Sequence, residues 1–299
     1  MSVVQKARKI RWNKSQLIES DTYIKVFVKS LSRDFSASER QEVYYISKLY
    51  VDGTVEIANG HFTTAEFYFN KADTYLNRIS DGTIKKKLLE NIRDRSKSLY
   101  CYRRKDYKQA IDLINHALKT NKELEAEGFQ FMIFDRASQY HNLAKIYFSQ
   151  NLIEEGLAVL KGVLTFLITL QSNEYIDSAK NLVETLDEEE FSMRSSLICL
   201  LFYETMGNFQ KQKSYELFVE QSYPFFKNIS DASECFHSHT KADAYIKEWI
   251  TIVGSFYDED FKKFTKESMQ YIRSNYLFYG NIPNDLLYQY LNYLGYSLS

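Results

Sequence analysis

Residues 53–76 read GTVEIANGHFTTAEFYFNKADTYL, and their reading decides the fold. Two amphipathic helical segments flank Asn59-Gly60-His61, with Gly53 and Ile57 on one side and Ala65, Phe69, Ala72 and Leu76 on the other. Gly60 can take the left-handed conformation that ends a helix. Thr63, with Glu66 three residues on, carries the signature of a capping box for the second segment. The stretch predicts a helical hairpin.

Composition extends that reading to the whole chain of 299 residues. Only two prolines, Pro224 and Pro283, and ten glycines occur, too few for the turns of a β fold. Hydrophobic residues make up 44% and charged residues 26%, which is enough apolar surface for an ordered protein. The 24 tyrosines and 21 phenylalanines suit the interlocking of helix pairs. A net charge of -1 gives no global pull toward nucleic acid or an anionic membrane. Cys101, Cys199 and Cys235 are odd in number and show no pairing pattern, so they read as free thiols of a reducing compartment. The opening MSVVQKARKIRWNKS lacks the apolar core of a secretory signal, and no run approaches the ~18 apolar residues that span a bilayer. A cytoplasmic protein without membrane contact is expected.

Outward from the hairpin, the order of elements can be read along the chain. Lys6, Arg8, Lys9, Arg11 and Lys14 form a basic start, either a patch for phosphate or an acidic partner, or a solvated tail. Gln16–Leu31 predicts a helix packing against the first repeat. Ser36 and Glu39 make a capping box before the run from Glu39 to Asn59. A third helix is expected from Ile84 to Arg103, and Asp106 caps a fourth. Further on, an extra helix is expected from about Tyr175, and the acidic run Asp187–Glu190 suits a helix start. Pro224 breaks the pattern. Asp231–Phe256 predicts another long helix, Asp258 caps the next, Tyr279–Asn284 is a loop, and Leu286–Leu298 closes the chain.

The hairpin recurs. His61-Phe62-Thr63-Thr64-Ala65 with Phe69 and Ala72 matches Asp106-Tyr107-Lys108-Gln109-Ala110 with Ile114 and Ala117 at a shift of 45. A third copy follows 46 residues later, with Tyr140, Leu143, Ala144 and Tyr147 and then Ile153, Gly156, Leu160 and Val163. Cys199, Leu200, Tyr203, Gly207 and Phe209 begin a poorer fourth. These residues resemble the tetratricopeptide repeat, whose unit of about 34 residues places small side chains at its eighth, twentieth and twenty-seventh positions. Here those places hold Gly53, Ala65 and Ala72, then Ser98, Ala110 and Ala117, then Ala144, Gly156 and Val163. Small side chains let neighbouring helices approach while aromatic rings fill the adjoining holes. The period of 45 exceeds that of the family and implies longer helices.

The resemblance implies an all-α fold, an α-solenoid of hairpins with an N-terminal helix and C-terminal capping helices. Three divisions are expected: 1–35 as a basic segment and packing helix, 36–220 as repeats, and 221–299 as hairpins closing the same solenoid. It also implies a concave groove for a peptide or protein segment, lined by Tyr50, Thr54, Arg95, Tyr102, Arg103, His141, Asn142, Lys145 and Arg194. The cations would bind carboxylates and Asn142 would meet peptide backbone. The same charges also fit ordinary solvated helix faces. The family's clamp for a terminal carboxylate uses lysine and asparagine where this chain has Tyr50 and Thr54, so that activity is not implied.

No phosphate-binding loop, zinc-protease motif or nucleophile elbow is present, and no cofactor or metal is expected. Cys235-Phe236-His237-Ser238-His239 gathers three soft ligands, but without a second ligand pair it reads as structural. The reading is a non-enzymatic scaffold. Its alternatives are a cytoplasmic peptide-sensing regulator and a nucleic-acid helper using the basic N-terminus, with a thiol hydrolase more distant. Nucleic acid is the less favoured partner, and a homodimer is left open.

Overall fold

The computed structural model describes residues 20–177, 182–209, 215–232, 236, 240–274 and 282–296. Among these the fold is all-α, and their contacts divide them into two compact units, one from Tyr23 to Val159 and one made of Leu160 onward together with the first residues of the first helix, Ser20 to Thr22. Each boundary falls inside a helix.

The first unit begins within α1 (Ser20–Asp34) and continues with α2 (Ala37–Ala58), α3 (Phe62–Leu76), α4 (Ile84–Arg103), α5 (Tyr107–Ala126) and α6 (Met132–Ser149). It ends within α7 (Ile153–Thr169). α2 packs on α3 and α4, α4 on α5, and α5 on α6. Local sequence explains three of the helix starts. Ser36 and Glu39 close the expected capping box on α2, Thr83 accepts from the Lys86 amide at α4, and Asp106 accepts from the Gln109 amide at α5. At α3 the expectation fails: the helix already starts at Phe62, behind His61, so Thr63 lies inside it and caps nothing.

The turns that close these hairpins repeat with the sequence period. Gly60, Lys105 and Asn151 have φ of 83°, 64° and 63°, and they stand 45 and 46 residues apart. After each, the next amide reaches back five residues: His61 to the Glu56 carbonyl at 2.8 Å, Asp106 to Cys101 at 2.9 Å, and Leu152 to Tyr147 at 2.9 Å. The left-handed residue itself donates three residues back, to Ile57, Tyr102 and Phe148. This double closure satisfies carbonyls that a helix end otherwise leaves unpaired.

The small residues of the repeat lie where chains meet. Gly53, Ser98 and Gly156 are buried, and Ala65, Ala72, Ala110 and Ala117 have no exposure. A Cβ on Gly53 would overlap the Phe69 ring, and one on Gly156 the Phe148 ring. Cys101, Ala110, Ile114, Leu118, Leu143 and Ile146 form one apolar cluster that joins α4, α5 and α6. Each large side chain buried in this way contributes about 1.5–3 kcal/mol. α1 does not confine itself to the first hairpin, as its sequence predicts. Phe27 meets Phe131, Phe35 meets Phe129, and the Arg33 guanidinium donates to the Gly128 carbonyl at 3.1 Å. Those partners form the turn between α5 and α6.

The second unit holds the end of α7, the four-residue α8 (Leu182–Thr185), α9 (Glu188–Phe209), α10 (Tyr215–Ala232), α11 (Lys241–Tyr257), α12 (Phe261–Ser274) and α13 (Ile282–Tyr293). Trp249 is fully buried, with the rings of Phe202 and Phe226 edge-on at 5.2 and 5.1 Å. Ser222 of α10 lies 3.1 and 2.9 Å from the hydroxyls of Tyr257 and Tyr290, which also bond to each other and so tie α10, α11 and α13 together. Five expectations are corrected, the first being the loop over Tyr279–Asn284, since α13 already starts at Ile282. Residues 171–177 are not helical. The long helix expected over Asp231–Phe256 is two, since α10 ends at Ala232 and α11 starts at Lys241 behind a capping box of Thr240 and Asp243. Asp260, not Asp258, accepts from the Lys263 amide at the start of α12. α10 also runs through Pro224, which forfeits one backbone bond to the carbonyl of Glu220 without ending the helix.

The turn geometry yields a paired prediction. Lys105 holds a conformation that suits glycine, so Lys105→Gly should stabilise the protein by about 1 kcal/mol, while Gly60→Ala should cost about 1 kcal/mol. Urea-unfolding midpoints of the two variants should therefore move in opposite directions.

Candidate functional site

The groove residues implied by the sequence occupy three environments. Tyr50 is fully buried, and its hydroxyl donates to Asp73 Oδ1 at 2.7 Å while Lys97 Nζ holds Asp73 Oδ2 at 2.5 Å. Burial, then Asp73, pushes its phenol far above the usual tyrosine range. Thr54, half-buried, donates to the Tyr50 carbonyl within α2. His141 is also buried, at 2% exposure. Such side chains meet a partner only if the helices part.

Two residues link helices while keeping an exposed edge. Arg95 Nη1 of α4 lies 2.5 Å from Asp135 Oδ1 of α6. The other oxygen of Asp135 accepts from Asn121 of α5 at 3.0 Å, and the Asn121 carbonyl oxygen accepts from Asn91 of α4 at 2.7 Å. Asn91, Asn121 and Asp135 are almost wholly withdrawn from water. The result is a polar chain crossing α4, α5 and α6, in which the amides of Asn91 and Asn121 and both oxygens of Asp135 are engaged while Asn91 Oδ1 has no hydrogen-bond partner among the described residues. Beside it, Asp94 takes Arg93 at 2.8 Å and the His116 ring at 2.5 Å, and Arg136 pairs with Glu125 at 2.8 Å. Tyr102 lies 3.0 Å from the Ser149 hydroxyl, a second link between α4 and α6.

The remaining groove positions of this unit face outward. Arg103 is exposed, and Asn142 and Lys145 are half-buried, with Asn142 making a long 3.5 Å contact to Gln139. Arg103, Lys145, Asn142, Tyr102 and the open edge of Arg95 thus remain as the accessible part of the set.

Arg194 belongs to the second unit and has no exposure. Its Nε donates to the Leu167 carbonyl at 2.5 Å and its Nη2 to that of Ile168 at 3.1 Å, so it closes the C-terminal end of α7. The rings of Phe191 and Phe236 lie within reach of the guanidinium, at 6.0 and 5.5 Å. Burial lowers its pKa to about 10 against an opposing pull from Asp243, and the group stays charged at neutral pH. It is an internal cap.

Sequence reasoning missed Asn91, Asn121 and Asp135. The signal lay in register: Asn121 follows Ala117 by four residues on the buried face of α5, where only an enclosed partner justifies an amide.

Neither described thiol is poised for nucleophilic chemistry. Cys101 donates to Gln109 at 3.3 Å and is pushed up by burial, then by Asp106. Cys199 is pushed up to about 12 by burial. Cys235, His237 and His239 lie outside the described residues. Among the described residues no cluster of three or more His, Cys, Asp or Glu could hold a metal ion, and no helix is long and apolar enough to cross a membrane.

No protein-family model, curated protein or solved structure matches this chain.

Two predictions follow from the burial of these groups. Arg95→Ala leaves Asp135 buried with one partner lost and should cost about 2–3 kcal/mol, whereas Arg103→Ala should stay within about 0.5 kcal/mol of the parent in urea unfolding. The unfolded Cys199 thiol loses its proton near its ordinary value of 9.0 and the folded one near 12. The folded state therefore binds the extra proton between these values, and stability should fall as pH rises through that window. Site-resolved alkylation at pH 8 should leave Cys101 and Cys199 unmodified until denaturant is added.

Proposed function

We propose that the chain is a non-enzymatic scaffold whose unit Tyr23–Val159 stacks tetratricopeptide-like hairpins as an α-solenoid and holds a peptide or protein segment on the face of α2, α4 and α6. The observation that carries the reading is the threefold return of one turn, at Gly60, Lys105 and Asn151, with small residues buried at matching places between. Hairpins repeated in this way keep their first helices side by side, and an extended segment can run across them.

The accessible residues supply the recognition chemistry. Arg103 and Lys145 offer cations for carboxylates, Tyr102 offers an amphipathic ring, and Asn142 offers an amide to peptide backbone. Arg95 acts through its bond to Asp135, which links α4 to α6. The proposal includes a cytoplasmic location, supported by the free thiols of Cys101 and Cys199.

The test reverses the charges of Arg103 and Lys145. Arg103→Glu with Lys145→Glu should abolish recovery of the polypeptides that co-purify with the chain from its own cells, identified by mass spectrometry, with helical circular dichroism unchanged. An unchanged set of co-purifying polypeptides removes this face from the argument.

A further inference from the structure

We infer that the exposed face of α12, with the adjoining edge of α11, docks a peptide segment that bears carboxylates along one side and a basic residue along the other. The surface lies on helices other than those of the groove proposed above and stands apart from that reading.

α12 is sharply two-sided. Phe264, Ser268, Tyr271 and Ile272 are buried, while Lys262, Lys263, Lys266, Gln270 and Arg273 are exposed. At 100° per residue those exposed residues share one stripe, about 16 Å long from Lys262 to Arg273. The four cations have no ion-pair partner among the described residues. Lys266, Met269, Gln270 and Arg273 border an open concavity of about 560 Å³, whose floor Met269 makes apolar.

The flank of the stripe toward α11 has the opposite sign. Glu248 of α11 and Glu267 of α12 line a second concavity of about 570 Å³ that shares Gln270 with the first. Lys247 borders it too, but its ammonium donates to the Phe236 carbonyl at 2.9 Å. Neither carboxylate has an ion-pair partner among the described residues, and each repels the other. Burial first and then Glu267 raise the pKa of Glu248. A cation from a partner would relieve that repulsion.

The two signs select the partner's chemistry. A nucleic acid would set its phosphates beside Glu248 and Glu267 as well as beside the lysines. A peptide with carboxylates at i, i+4 and i+7 on one edge and lysine or arginine on the other satisfies both flanks, and such pairing sets orientation more than affinity.

The probes are fluorescein-labelled helical peptides as long as α12, one with mixed edges and an apolar residue between them and one with glutamate on both edges, plus a short single-stranded DNA. Fluorescence anisotropy with the full chain should show the mixed peptide binding most tightly. Lys266→Glu with Arg273→Glu should weaken it on the order of tenfold or more. Glu248→Lys with Glu267→Lys should weaken the mixed peptide and tighten the all-glutamate one. Arg103→Glu with Lys145→Glu should change neither. All substituted side chains are exposed or half-buried, and circular dichroism checks that the helices persist. Tighter binding of DNA than of the mixed peptide, no binding of the mixed peptide, or binding indifferent to both charge reversals overturns the inference.

Discussion

The hairpins of the first unit depend on a chain reversal that satisfies the carbonyls of one helix before the next begins. A helix end leaves its last carbonyls without a partner inside the helix. Gly60, Lys105 and Asn151 solve this with one left-handed residue each, and the two backbone bonds around it point the chain back along the helix just finished. Once the reversal is set, Phe69 falls under Gly53 and Phe148 against Gly156. In both hairpins a glycine of one helix admits a ring of the other, from the second helix onto the first at Gly53 and from the first onto the second at Gly156, so the repeated turn brings the paired helices equally close.

This explains how much of the fold was legible. Ile84–Arg103 matches α4 residue for residue, and Ser36 and Asp106 cap as read, because in each case the deciding groups are neighbours in sequence. The turns at Lys105 and Asn151 were legible only by alignment with Gly60, since lysine is not a residue whose chemistry asks for positive φ. α3 starts at His61 rather than at the better capping box because the preceding turn delivers the chain already reversed there. The break between Ala232 and Lys241 was hidden by a run whose periodicity suits a helix throughout. Local pattern also could not say that α1 reaches the turn between α5 and α6, a contact between residues about 95 apart in sequence such as Arg33 and Gly128.

The candidate site was less legible, for a related reason. Helical period assigns a residue to a face, but a partner on another helix draws a polar residue at the margin of that face inward. Arg95 lies at such a margin and is claimed by Asp135, and Tyr50 by Asp73. Arg194, read as a groove cation, is claimed by carbonyls of α7 that no sequence pattern exposes. Arg103, at the last turn of α4, has no such partner among the described residues and stays exposed.

These enclosed polar groups bear on what kind of surface the first unit can present. Apolar packing alone tolerates small slips of one helix on another, because dispersion is nearly indifferent to a shift that keeps volume filled. The chain from Asn91 through Asn121 and Asp135 to Arg95 is not indifferent: moving α6 by part of a turn would strand the buried carboxylate of Asp135 and the amide nitrogen of Asn121. Such a network adds little net stability over an apolar core, yet it discriminates strongly between registers. The helices α4 and α6 that carry Arg103 and Lys145 are thereby tied in one register through Arg95 and Asp135. A surface that recognises an extended segment needs that fixed register more than it needs a deep cavity, since the segment supplies its own backbone regularity.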